Sequence, residues 1–205
     1  MPGGGFRAKR DDMLGAAADS YFFSYGSLVN RATHEAVGEA RHARLRGWRR
    51  MWRHTPLRPV AYLTAVPDPG TQIDGLVATV PGADWRGLDA REHAYRRVMV
   101  SGQVEHGLEG AAIVATYTIP DGMHGPANEI HPILLSYIDT VVQGYLAEFG
   151  PGGVRAFFAT TSGWDAPVFD DRGAPRYRRH RPCTDAERAL TDALLAGVGA
   201  RIVPG

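Results

Sequence analysis

Between residues 21 and 119 the chain reads as short strands with almost no helix, and this pattern constrains the fold more than any other feature. Runs rich in β-branched and aromatic residues at 21–25, 43–53, 60–66, 73–80, 95–104 and 111–119 alternate with glycine-, proline- and aspartate-containing stretches that suit turns. Helical signals are few. Residues 31–37 suit one or two turns, and 84–94 a short helix. Ile133, Leu134, Tyr137, Ile138, Val141, Val142, Tyr145 and Phe149 form a clean helical stripe after Pro132, a residue that fits a first helical turn. Residues 154–161 suit a short helix, and Thr184 with Glu187 forms a capping-box pattern opening a last helix to about residue 198. Many strands with few helices predict an α+β domain whose mixed sheet curls into a small β-barrel with flanking helices.

Length and charge set the bounds. A chain of 205 residues, 44% hydrophobic and 22% charged, suits one compact domain with appendages. The expected organisation is a flexible polar lead over 1–20, a domain over 21–150 and a C-terminal extension over 151–205 packed on it. The lead lacks the apolar stretch of a signal peptide. A formal net charge of +1 gives no global field for nucleic acid or membrane, and no run approaches the length of a membrane span. The single cysteine, Cys183, excludes an intrachain disulfide and fits a reducing, cytoplasmic compartment. The arginines of 41–53 would be spread by strand alternation over both faces, reading as a solvated edge with one or two reaching a site. The histidines show no close ligand pairing; the nearest cluster is His124, Glu129 and His131, so no metal is expected. Walker and GxGxxG motifs are absent, and Ser27 lacks the flanks of a nucleophile elbow.

Two segments carry chemistry. The apolar Tyr21-Phe22-Phe23 runs into Tyr25-Gly26-Ser27-Leu28, a strand feeding a tight turn. Glycine tolerates positive φ and admits close backbone approach, and such a turn directs successive N–H groups into one concavity suited to a carboxylate. A plain strand-to-loop connection would show the same residues. Farther on, Asp84 is a plausible N-cap for a helix that places Trp85, Leu88, Glu92 and Tyr95 on one face. Glu92 thereby falls on an apolar stripe, where a carboxylate must be paired or used. Burial would raise its pKa toward neutral, where it exchanges protons usefully. A buried Glu–Arg pair is the alternative.

Phe23-Ser24-Tyr25-Gly26-Ser27-Leu28 resembles the Phe-x-Tyr-Gly-Ser-Leu signature of the gamma-glutamylcyclotransferase-like superfamily, with its AIG2-like and ChaC-like members. Leu88-Asp89-x-x-Glu92-x-x-Tyr95-x-Arg97-x-x-Val100 is similar to that superfamily's second signature, which contains its catalytic glutamate. The proline-led 132–144 and Trp48–Trp52 resemble further parts of the pattern, in the right order. The resemblance implies that Glu92 is catalytic and that Tyr25, Gly26, Ser27 and Leu28 bind substrate. It implies cofactor-free closure of a γ-glutamyl amide to 5-oxoproline, releasing an amine or amino acid. A related lyase or transferase acting on another γ-glutamyl-like amide, or a non-catalytic binding module, are the alternatives. The arginine- and proline-rich residues 160–179 read either as an irregular wrap or as a flap in which Trp164 and Tyr177 close the site.

Overall fold

The computed structural model describes residues 19–33, 39–120 and 122–205. Its strands are β1 (Asp19–Ser24), β2 (Ala40–His54), β3 (Tyr62–Thr79), β4 (Arg96–Met99), β5 (Val104–His106), β6 (Ala112–Thr118), β7 (Gly125–Pro126), β8 (Ile133–Leu134), β9 (Thr161–Ser162), β10 (Val168–Asp170) and β11 (Ile202–Pro204). Its helices are α1 (Arg86–Arg91), α2 (Leu135–Ala159) and α3 (Asp185–Gly197). The principal sheet runs β4-β6-β1-β3-β2-β5, with β7 and β9 added to β2. β1 lies parallel to β6 and antiparallel to β3, so the sheet is mixed and curls into a half-barrel with few flanking helices, as expected.

β2 and β3 form the long spine of this sheet, and an irregularity in their pairing decides what is buried. The register passes from Arg46 opposite Gln72 to Trp48 opposite Pro67, with Gly47 between them at φ +75°. Before Gly47 the inward residues are Ala43 and Leu45; after it they are Trp48, Arg50 and Trp52. A single residue out of step inverts the alternation of side chains between faces. The same irregularity joins the expected strands at 60–66 and 73–80 into the continuous β3, the chain bending through residues 67–72 rather than breaking.

α2 packs on the sheet through Ile138, Val141, Val142 and Tyr145, which share one core with Leu45, Trp52, Leu63 and Val77. Fully burying one such side chain stabilises the fold by roughly 1.5–3 kcal/mol. Gly150, at φ +64°, and Pro151 kink α2, so the expected second helix follows the first across that bend. Pro132 lies before the helix and not in its first turn. Ile133 and Leu134 pair in parallel with Val168 and Phe169, a tertiary contact that overrides the local proline signal and delays α2 to Leu135.

Other expectations shift in detail. The strand expected over 95–104 divides into β4 and β5 around a 3-10 turn at Ser101–Gln103. Residues 31–33 form a 3-10 turn, while 34–37 fall outside the described residues. Of the lead over 1–20, Asp19 and Ser20 belong to β1 and the rest lies outside the described residues. The capping box of Thr184 and Glu187 opens α3, which packs on α2. No helix among the described residues is long and apolar enough to cross a membrane.

Candidate active site

β1 delivers its last residues into a tight corner. After Ser24 the chain passes through Tyr25 and Gly26 into a 3-10 turn at Ser27–Val29, closed by Val29 N–H donating to the Gly26 carbonyl at 3.0 Å. The corner is held from below. Arg50, buried by the change of phase in β2, donates from Nε to the Tyr25 carbonyl at 3.0 Å and from Nη1 to Thr160 Oγ1 at 2.7 Å. Its remaining nitrogen reaches the Asp74 carbonyl and the Tyr145 hydroxyl, and its guanidinium lies over the Tyr145 and Phe157 rings. A buried cation is tolerated here because the planar fork is matched by oxygen acceptors and ring faces.

Of the two reasons expected for Gly26, positive φ does not apply and close approach does, here to a side chain of the fold. Its φ is −126°, outside the left-handed region. A Cβ there would lie 2.9 Å from the Tyr137 hydroxyl oxygen, so glycine serves close approach. The corner is seated against α2 in the same way: a Cβ on Gly144 would meet the Asn30 nitrogen at 2.5 Å, and Asn30 Nδ2 donates to the Thr140 carbonyl at 2.9 Å.

Glu92 faces this corner. Helix α1 is shorter than expected and ends at Arg91, with Glu92 as its C-cap at φ −96°, ψ 32°. Asp84 lies one residue before the N-cap Trp85, although its carboxylate still accepts the Arg86 N–H at 3.1 Å. A turn, Tyr95 N–H to the Glu92 carbonyl at 2.7 Å, then carries Tyr95 back under the sheet. Glu92 and Tyr95 therefore share the cleft through a turn and not through a helical stripe. Tyr95 donates its hydroxyl to the Leu63 carbonyl at 3.0 Å.

The cleft, about 60 Å³ in volume, is bounded by the Tyr25–Leu28 corner, Leu63, Glu92, Tyr95, Tyr117 and Tyr137. The structure thus brings every site residue expected from the sequence into one concavity. Burial is the largest influence on the Glu92 carboxyl and pushes its pKa up, while Arg91, Arg58 and Arg179 pull it back. Arg91 Nε is 3.2 Å from Glu92 Oε1, and the Glu92 side chain keeps 18% of its surface exposed, so the carboxylate is largely buried and is paired. Burial also pushes up the phenols of Tyr25, Tyr95 and Tyr137 and keeps them neutral donors. The Tyr25 hydroxyl is already committed, donating to the Tyr117 carbonyl at 2.5 Å and accepting from Ala65 N–H at 3.1 Å. Its ring walls the cleft.

Residues 160–179 are partly wrap and partly flap. Trp164 is buried, stacks on Phe158 at 4.8 Å and meets Trp52 edge-on; it does not reach the cleft. Tyr177 does. Its hydroxyl is hydrogen-bonded to the Ser27 side chain and its ring meets Tyr137 edge-on at 4.9 Å. The Tyr137 hydroxyl accepts the Ser27 N–H. Two phenol oxygens thereby meet Ser27, one at its N–H and one at its side chain.

Arg50, Arg58, Arg91, Tyr137 and Arg179 were not singled out from the sequence as site residues. Tyr137 was legible only as one member of the apolar stripe of α2. Arg91 is the neighbour of Glu92, but Arg58 and Arg179 lie on opposite sides of it in sequence and meet it only through the fold.

A chain with this curled sheet, this corner and this buried carboxylate is of the gamma-glutamyl cyclotransferase type. The family model described as gamma-glutamyl cyclotransferase, AIG2-like, matches residues 22–147, and the chain belongs to that family. No curated protein matches the sequence. A solved gamma-glutamyl cyclotransferase, 14% identical, covers 85% of this chain and 99% of its own at a TM-score of 0.53. An uncharacterized protein from Homo sapiens, 15% identical, covers 84% and 97% at a TM-score of 0.51. YkqA from Bacillus subtilis, 19% identical, covers 71% of this chain and 56% of its own at a TM-score of 0.53. These likenesses establish the fold.

Proposed function

We propose that the protein is a cofactor-independent cyclotransferase that closes a γ-glutamyl amide to 5-oxoproline and releases an amine. The observation that carries this reading is the position of Glu92, a buried carboxyl of raised pKa facing the Tyr25–Leu28 corner. In the reaction the substrate's α-amine attacks its own γ-carbonyl carbon, a new C–N bond closes the five-membered ring, and the bond to the leaving nitrogen breaks. Glu92 takes a proton from the ammonium group to free the amine for attack and, as the tetrahedral intermediate collapses, passes protons on to the leaving nitrogen; two protons move in all from the attacking to the leaving nitrogen, which departs as an ammonium. No water is consumed, and the two products together contain the atoms of the substrate. A carboxyl whose pKa is raised toward neutral serves both as base and as acid. Holding the substrate folded over the corner supplies the proximity on which intramolecular closure depends.

In this reading the α-carboxylate is received at the backbone of Gly26, Ser27 and Leu28, taking the place of the Tyr137 oxygen at the Ser27 N–H, with the neutral Tyr137 and Tyr177 hydroxyls as further donors. Tyr25 walls the pocket. The domain that performs the reaction spans about 21–150, and the segment over 151–205 contributes Tyr177 from outside it. The test is incubation with a panel of γ-glutamyl amides, monitored for 5-oxoproline, with Glu92→Gln as control. General acid–base catalysis contributes ~10²–10⁴-fold, so the variant is expected to lose at least a hundredfold in rate while remaining folded. A loss under tenfold would remove Glu92 from the mechanism.

A further inference from the structure

Beside the cleft lies a wider groove of about 470 Å³, and Tyr137 lines both. On the cyclotransferase reading, a group attached to the γ-amide nitrogen would leave the small cleft past Tyr137 and extend into this groove. Its chemistry is lopsided. Arg58, Arg176, Arg178 and Arg179 line it, with Glu129 as the one acidic lining residue. Glu129 is itself engaged by Arg201. None of Arg58, Arg176, Arg178 and Arg179 forms an ion pair with a carboxylate among the described residues, and of the four only Arg58 and Arg179 act on Glu92, at longer range. Arg58 and Arg176 lie over the rings of Tyr62 and Phe169, at 4.5 and 4.1 Å, which orients them without neutralising them. The buried Arg58 Nε has no hydrogen-bond partner. Ile130, 79% exposed, adds an apolar element to the same wall.

Uncompensated arginines gathered in a partly enclosed groove raise the local concentration of anions and penalise cations. The guanidinium fork matches carboxylates in particular. We infer that the groove selects γ-glutamyl amides whose leaving amine is itself acidic, carrying a short aliphatic stem and at least two negative charges, as in an acidic amino acid or acidic peptide. A polyamine leaving group would set its cations against these arginines and is disfavoured. The inference rests on the cyclotransferase reading above and adds to it the class of amine released.

The experiment measures kcat/KM for release of 5-oxoproline from γ-glutamyl-glutamate, its near-isostere γ-glutamyl-glutamine, and γ-glutamyl-putrescine. The glutamate compound is expected to exceed the glutamine compound by at least tenfold, and the putrescine compound to be poorest. Raising ionic strength is expected to shrink that ratio, because the contacts are partly solvated. A variant carrying Arg176→Gln and Arg178→Gln, both exposed and neither among the charges acting on Glu92, is expected to lower the glutamate-to-glutamine ratio by at least fivefold. Equal kcat/KM for glutamate and glutamine compounds, or a ratio unmoved by the double variant, overturns the inference and leaves the cyclotransferase reading standing. Absence of 5-oxoproline from all three compounds overturns that reading, and the inference with it.

Discussion

The carboxylate of Asp171 caps the first turn of α2 from a distant part of the chain: it accepts the Ser136 N–H at 2.8 Å and the Ser136 hydroxyl at 2.6 Å. The helix has no side-chain cap of its own, since Leu134 occupies the N-cap position. The same carboxylate accepts the Arg176 N–H at 2.8 Å, and the Tyr177 N–H points to Ser136 Oγ at 3.3 Å. One buried group thus joins the start of α2 to the segment that presents Tyr177 to the cleft.

Asp171→Ala is therefore expected to act at two levels. Loss of the cap costs about 1–2 kcal/mol of stability. Loss of the anchor on Arg176 frees Tyr177, so KM for a γ-glutamyl amide rises more than kcat falls. Chemical denaturation and steady-state kinetics on the variant check both; a stable variant with unchanged KM would show that Asp171 holds neither.

Gly26 and Tyr137 form a steric pair. Gly26→Ala places a methyl 2.9 Å from the Tyr137 hydroxyl oxygen, and the ring must shift. The substitution is expected to weaken substrate binding at least tenfold and to lower stability. In a Tyr137→Phe background the added stability cost should fall, because the clashing oxygen is gone. A double-mutant cycle measures the coupling, and strict additivity would contradict the contact.

Arg50 is expected to be intolerant of replacement. Arg50→Met removes the guanidinium from the Tyr25 and Asp74 carbonyls and from the Thr160 and Tyr145 hydroxyls, and the single Tyr145 hydroxyl proton can serve only one of the two carbonyls. At ~1–3 kcal/mol for each buried group left unpaired, the loss should reach about 3 kcal/mol or more. Arg50→Lys keeps the charge but not the fork and should remain clearly destabilised. Equilibrium unfolding distinguishes the two, and a lysine variant as stable as the parent would refute the clamp.

Glu92 makes a prediction about stability and pH. Its native pKa lies above the ordinary carboxylate value because of burial. Between the unfolded and native values the folded chain binds more protons than the unfolded one. Stability therefore falls as pH rises through that window, and the full penalty applies above the native value. Glu92→Gln removes the titration. It should be more stable than the parent at about pH 7 and lose that advantage toward about pH 4, near the ordinary value of an exposed carboxyl. Thermal unfolding across this range checks the sign; a variant weaker than the parent at every pH would mean that the pair with Arg91 outweighs burial.

The charge of the ligand supplies the last test. A γ-glutamyl amide and its α-amide analogue can be compared by competition on Glu92→Gln, where nothing turns over. Charge-assisted hydrogen bonds are roughly twice as strong as neutral ones, so the α-amide should bind at least ten times more weakly. Equal binding would move the carboxylate site away from the Tyr25–Leu28 corner.

The corner and Glu92 were legible because each sits in a local run whose residue types carry the message. The strands were legible from their composition, as was α3 from its capping box. What escaped was set by contacts distant in sequence. The helix ending at Arg91 depends on Tyr95 turning back toward the Leu63 carbonyl, and the delayed start of α2 depends on β8 pairing with β10. The inward turn of Arg50 depends on Gly47, and the role of Tyr177 depends on the anchor at Asp171. In the first three cases a local preference gave way to a partner more than twenty residues away or to a single irregularity in pairing; in the last, Asp171 and Tyr177 are near neighbours in sequence and are both tied to the distant Ser136.

That irregularity makes β2 a segment in which odd and even positions exchange meaning halfway along. Were β2 to run through residues 46–48 at its present length without the irregularity, alternation would be uniform. Arg50 and Trp52 would then face solvent and neighbours such as Arg49 and Met51 would turn inward. The Tyr25–Leu28 corner thus depends on the irregularity being kept, and a β-branched residue at Gly47, whose φ is +75°, should be far more damaging than substitutions at the exposed Arg44 or Arg46.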